Sequence, residues 1–99
     1  MSSEHLHTRI IIISGKVQGV NFRRAACRAA DECGCTGTVN NEKDGSVKIV
    51  ATGTRYQLDR LAEWCKEGPP MAKVESVKVE ETGLQDFKEF TEFTIIRGQ

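Results

Sequence analysis

The chain has 99 residues, enough for one domain, and its 14 basic residues balance 14 acidic ones, so that the formal net charge is zero. A balanced charge gives no broad positive field for nucleic acid or an anionic membrane, so any anion binding must be local. The sequence has no apolar run near the roughly 18 residues of a membrane span and no signal-peptide pattern, and we expect a cytoplasmic protein with neither kind of partner.

Apolar patterning in the first third of the chain predicts a strand, a loop and a helix. Residues 1–7 form a polar stretch that we expect to be a flexible tail within a single domain spanning residues 1–99. The β-branched run Ile10–Ile13 predicts a buried strand that ends near Ser14. Apolar residues then recur at helical spacing over about residues 21–32, and Gly34 is a typical helix stop.

The loop between this strand and this helix has the composition of an anion-binding site. Gly15 and Gly19 let the backbone curl, so that successive N–H groups converge next to the first N–H groups of the helix, which lack intrahelical partners. Arg23, in the first helical turn, adds a cation with a planar donor fork. The loop therefore predicts a site for a phosphate-sized dianion. Its predicted ligands are Gln18, Gly19, Val20, Asn21, Phe22 and Arg23.

The rest of the chain predicts a hairpin, a second helix and two more strands. Strands near residues 35–41 and 46–52 flank the turn signal Asp44-Gly45. Thr54 can cap a helix that ends before the pair of prolines at 69 and 70. Imperfect alternation near residues 74–79 favours a strand, and a last strand holds Phe93 and Ile95, with residues 83–88 as the loop before it.

The predicted order is strand, helix, strand, strand, helix, strand and a terminal strand. This order is typical of an α+β, ferredoxin-like open sandwich, in which two helices pack on one face of an antiparallel sheet of four to five strands. Both predicted helices have one apolar stripe, as that plan requires.

Two blocks of the sequence resemble the acylphosphatase family. Residues 15–23, G-K-V-Q-G-V-N-F-R, are similar to the family's signature, and residues 37–47, G-T-V-N-N-E-K-D-G-S-V, resemble its strand-turn-strand segment, with Asn41 at the catalytic asparagine. The resemblance extends from Ile10 to Arg97. It implies that Arg23 and Asn41 are catalytic and lie close together, that the loop amides hold phosphate, and that the protein hydrolyses small acyl phosphates without a metal or other cofactor. Inorganic phosphate would be product or competitive ligand.

Thr38 is the clearest departure from the family pattern, because many members carry tryptophan at this position. The change affects predicted contacts to the acyl group and leaves the phosphate loop intact, so we expect an altered substrate preference or rate. It also keeps open a second function, a non-catalytic or accessory domain that binds a phosphorylated small ligand.

Two other functions of ferredoxin-like domains fit the sequence less well. An RNA-binding module would need exposed aromatic residues and excess positive charge, whereas this chain has six aromatic residues and no net charge. A soft-metal carrier would need C-x-x-C in the first loop, which instead contains V-Q-G-V at residues 17–20.

No apolar stripe is left over once helices and sheet are assigned, so we expect a monomer.

The four cysteines are expected to be reduced thiols, since the cytosol disfavours structural disulfides, and Cys27, Cys33 and Cys65 are expected to serve mainly as small packing residues. Cys33 and Cys35, taken with His5 and His7, do not have the spacing of a common zinc site, so no metal site is predicted. The other two cysteines are Cys27 and Cys65.

Overall fold

A computed structural model describes residues 5–82 and 90–96 of the chain. Within them the elements follow the predicted order. They are β1 (His7–Lys16), α1 (Phe22–Cys33), β2 (Thr36–Asn41), β3 (Val47–Gly53), α2 (Arg55–Glu67), β4 (Lys73–Glu81) and β5 (Phe93–Ile95). His7, assigned to the tail from the sequence, is instead the first residue of β1 and pairs with Gly53. The loop predicted at residues 83–88 and the start of the predicted tail lie outside the described residues.

The strands form one sheet in the order β4-β1-β3-β2-β5. The three pairings among the first four strands are antiparallel, and the helices pack on one face, which confirms the ferredoxin-like plan. The three-residue strand β5 pairs in parallel with β2, from Gly37 opposite Phe93 to Val39 opposite Ile95. This parallel edge was not predicted, because so short a strand carries no signal for its partner or direction.

The core lies between the sheet and the helices. Alternate residues of β1 and β3, among them Ile11, Ile13 and Ile49, are fully buried, and Leu58 and Leu61 of α2 are buried with them. Each such side chain stabilises the fold by about 1.5–3 kcal/mol relative to exposure. The core thereby fixes both helices against the sheet.

Phe22, the first residue of α1, is 2% exposed and packs its ring edge-on against Trp64 of α2, with ring centroids 5.3 Å apart. Aromatic pairs in this geometry contribute about 0.5–1.5 kcal/mol beyond the area they bury. The start of α1 is therefore fixed in the core, and so is the end of the loop that precedes it.

A buried arginine near the start of β1, at the other end of the strand from this loop, joins β1 to two other elements. Arg9 donates hydrogen bonds to the carboxylates of Asp59 in α2 and Glu81 in β4. Burial alone would lower the pKa of Arg9, but the two carboxylates outweigh this effect and raise the pKa above its usual value. This charge cluster links α2 to the sheet.

The four cysteines are free thiols, and all but Cys27 are buried. Burial raises the pKa of Cys35 and of Cys65 to about 12 and raises that of Cys33, so these thiols are protonated and weakly nucleophilic at neutral pH. In residues 5–82 and 90–96, no group of three or more His, Cys, Asp or Glu side chains is placed to hold a metal ion. Neither helix in this part of the chain is long and apolar enough to cross a membrane.

Candidate active site

A cavity of about 140 Å³ lies where the loop after β1 leads into α1. Arg23 from the helix and Asn41 from the end of β2 both line it, so the two predicted catalytic residues lie at one site. Of the other predicted ligands, Gly19, Asn21 and Phe22 line the cavity, whereas Gln18 and Val20 do not. The remaining lining residues are Val17, Arg24 and Ile95.

A β-bulge lies near the end of β1, just before the loop that leads to the cavity. The register of β1 against β4 shifts between Ser14 and Gly15, and Gly15 has a φ of 123°. A Cβ atom at Gly15 would lie 2.3 Å from the carbonyl oxygen of Lys73, closer than real Cβ atoms come. Glycine is therefore required here, but as part of a bulge within β1, where Gly15 pairs with Val74, and not in the loop to which the sequence analysis assigned it.

The loop reaches α1 through two left-handed residues. Gly19 has a φ of 76° and Asn21 a φ of 66°. Glycine adopts this conformation freely, and asparagine is one of the few other residues that tolerate it. No atom lies within 4 Å of where a Cβ on Gly19 would be, so the backbone at Gly19 is open on that side.

The N-terminus of α1 has no side-chain cap. Asn21 occupies the N-cap position, but its side chain makes no capping hydrogen bond, and the first turn contains no acidic residue. The first N–H groups of the helix are therefore not satisfied by a side-chain cap, and the positive end of the helix dipole is not neutralised locally. This arrangement favours an anion at the cavity.

Gln18 fastens the loop to the hairpin that carries Asn41. Its Nε2 donates to the carbonyl oxygens of Glu42, at 2.8 Å, and Ser46, at 2.9 Å. The side-chain amide of Gln18 is thus used within the protein, and only its backbone N–H is left as a candidate phosphate ligand. In the turn between β2 and β3, the Asp44 carboxylate accepts hydrogen bonds from the side chain and the backbone N–H of Ser46. These hydrogen bonds lower the pKa of Asp44.

Within the described part of the chain, the polar side chains that line the cavity have no partner. Among residues 5–82 and 90–96, Arg23, Arg24 and the side-chain amide of Asn41 make no hydrogen bond or ion pair. Arg24 was missed as a site residue from the sequence. Its signal was its position in the first turn directly after Arg23, but neighbouring helical residues point about 100° apart, so the sequence did not show that both reach one cavity.

The family model for acylphosphatase matches residues 9–95. The chain belongs to the acylphosphatase family. It is 44% identical over 87 residues to an acylphosphatase of Methylococcus capsulatus, covering 88% of this chain and 92% of that protein. It is 50% identical over 89 residues to an acylphosphatase of Shewanella amazonensis, covering 90% and 96%.

A solved acylphosphatase structure from Coxiella burnetii has the same fold. It superposes with a TM-score of 0.88 at 36% identity, covering 97% of this chain and all of that one. Family membership agrees with the activity predicted from the sequence, hydrolysis of acyl phosphates by a hydrolase that acts on acid anhydrides. None of these comparisons favours the alternative of a non-catalytic ligand-binding domain.

Proposed function

We propose that Arg23 and Asn41 carry out hydrolysis of the carboxyl–phosphate bond of small acyl phosphates, by attack of water on phosphorus, without a metal or cofactor. The observation that supports this assignment is that both side chains line one cavity at an uncapped helix N-terminus and are unpartnered within the described chain. The reaction itself follows from the family.

The phosphoryl group occupies the cavity. Backbone N–H groups from Gln18 to Phe22 and the guanidinium of Arg23 hold its oxygens, since converging amides, a helix dipole and a planar donor fork all favour a compact dianion. At about 140 Å³ the cavity is smaller than the roughly 300–1,000 Å³ typical of pockets for larger ligands. It therefore takes the phosphoryl end of the substrate and leaves the acyl chain outside.

Asn41 orients the attacking water. Its side-chain oxygen accepts a hydrogen bond from the water and aims the water's lone pair at phosphorus, but an amide is too weak a base to remove a full proton. As the water oxygen bonds to phosphorus, the bond from phosphorus to the acyl oxygen breaks, and its electron pair leaves with the carboxylate. Both protons of the water end on the phosphate product, H₂PO₄⁻.

The leaving group needs no proton, because the acid from which it derives has a pKa of about 4, near that of glutamic acid. Catalysis then requires only that the reacting groups be positioned and that charge be stabilised in a loose transition state.

Inorganic phosphate is the product and a competitive ligand for the same amides. The monomeric state and the cytoplasmic location stay predictions.

Hydrolysis of benzoyl phosphate by the wild type and by Arg23→Lys, each with and without a chelator, tests the proposal. We expect chelator-insensitive turnover by the wild type and a loss on the order of 10³-fold or more in Arg23→Lys, since lysine keeps the charge but not the fork. Arg28→Lys is the control, because Arg28 is exposed on the same helix and does not line the cavity. A folded wild type that binds phosphate without turnover would contradict the proposal, as would full activity in Arg23→Lys.

A further inference from the structure

Among the described residues, the cavity is lined by one more cation than the proposed mechanism uses. Arg24 lines it together with Arg23 and Asn41, is exposed, and makes no ion pair with the part of the chain that the structure describes. The first turn of α1 has no acidic residue that could neutralise it. An exposed arginine that lines a small anion site and has no partner in the described chain is available to a second negative group.

The geometry of the reaction shows where a second negative group appears. In an in-line displacement the attacking and leaving oxygens are on opposite sides of phosphorus. In the proposed mechanism Asn41, at the end of β2, holds the water, whereas Arg23 and Arg24 come from the first turn of α1. With Arg23 on the phosphoryl oxygens, Arg24 is the cation left for the side on which the leaving carboxylate gains its charge.

We infer that Arg24 is a second catalytic arginine, which neutralises the departing carboxylate and thereby sets which acyl groups leave readily. This inference rests on the proposed function. The acyl oxygen carries little charge in bound substrate and nearly a full charge once the bond to phosphorus has broken. The contact to Arg24 therefore strengthens along the reaction, and an interaction made mainly in the transition state appears in kcat.

The test compares wild type, Arg24→Gln, Arg24→Lys and the control Arg28→Gln on a series of benzoyl phosphates whose parent acids differ in pKa. For Arg24→Gln we expect kcat on benzoyl phosphate to fall about tenfold, as for a charge-assisted contact at an exposed site, with little change in KM. The loss grows as the parent acid becomes weaker, so the slope of log kcat against leaving-group pKa steepens. Arg24→Lys recovers part of the loss, and Arg28→Gln behaves as wild type.

Inorganic phosphate separates this contact from simple charge attraction, because phosphate has no leaving group. Its inhibition constant should rise less in Arg24→Gln than kcat falls, and measurable inhibition also shows that the variant has a folded site. The inference is overturned if Arg24→Gln matches Arg28→Gln, if it lowers kcat equally for every leaving group, or if it changes only KM and phosphate inhibition. Since wild type and Arg23→Lys are assayed on the same substrates, failure of the proposed reaction would be recognised separately.

Discussion

The two helices of this fold begin in opposite ways. At α2 the Thr54 side chain accepts a hydrogen bond from the N–H of Gln57, and the Gln57 side chain accepts one from the N–H of Thr54, which completes a capping box. At α1 the N-cap residue Asn21 is in a left-handed conformation, and its side chain caps nothing. The first N–H groups of any helix lack partners within the helix. At α2 the capping box binds such a group and stabilises the fold, whereas at α1 these groups are left for a ligand.

The charges on β1 and on the helix that follows it show the same division. Arg9, near the start of β1, is buried and paired with two carboxylates, whereas Arg23 and Arg24, beyond its other end, have no partner in residues 5–82 and 90–96. These regions lie about 20 Å apart along the strand. The paired charges and the capped helix stabilise the fold, whereas the arginines without a partner in the described residues lie at the site.

Replacement of Asn41 tests whether the uncapped end is catalytic and not merely a binding site. Asn41→Ala should lower kcat about 100-fold, because the water loses its orientation, while inhibition by inorganic phosphate is largely kept. Steady-state kinetics on benzoyl phosphate measure both. Lys43→Ala is the control, since Lys43 is exposed in the turn that follows β2 and does not line the cavity. Wild-type kcat with a loss of phosphate affinity alone would refute the water-positioning role.

Asn21→Asp places a negative charge at the uncapped N-terminus of α1. Aspartate also tolerates the left-handed conformation, and a negative charge at a helix N-terminus stabilises the helix by about 0.3–1 kcal/mol. The same charge should repel bound phosphate and weaken its affinity about tenfold, from roughly 1–2 kcal/mol of repulsion over a few ångströms. Thermal unfolding and the phosphate inhibition constant measure the two effects.

Thr54→Asp is the matched control at α2, because it also places an acid at an N-cap but far from the cavity. It should leave phosphate inhibition unchanged. If Asn21→Asp and Thr54→Asp affected phosphate alike, the two helix ends would not differ in function as we propose.

Thr54→Ala probes the capped end and should have the smallest effect. Loss of the cap lowers the free energy of unfolding by about 1 kcal/mol, which corresponds to about 4–8 °C in Tm for a domain of this size. kcat and KM on benzoyl phosphate should stay at wild-type values. A marked loss of activity at unchanged stability would show that α2 contributes to the site in a way that the structure does not indicate.

Most of the fold could be predicted from local patterns. The isoleucine run, the helical spacing and the Asp44-Gly45 turn each carry their signal within a few residues, and the described elements follow them closely. The parallel pairing of β5 with β2 could not be predicted, because it joins short segments more than 50 residues apart in the chain.

The site was predictable in part. Gly15 and Gly19 were recognisable because their residue type matches the backbone they adopt. The bonds from Gln18 to the carbonyls of Glu42 and Ser46 span 24 and 28 residues, and no local pattern encodes them. Arg24 was missed for the same reason, since its place in the cavity depends on how the loop meets the hairpin.

The most direct test of the account is a titration of the ¹⁵N-labelled protein with inorganic phosphate, followed by amide NMR. We expect saturable shifts of the amides from Gln18 to Arg23 and none in the first turn of α2, at Arg55 to Gln57, where a capping box is already formed. Shifts of similar size at both helix ends, or no saturable shift in the loop before α1, would contradict the claim that α1 is left uncapped to bind phosphate.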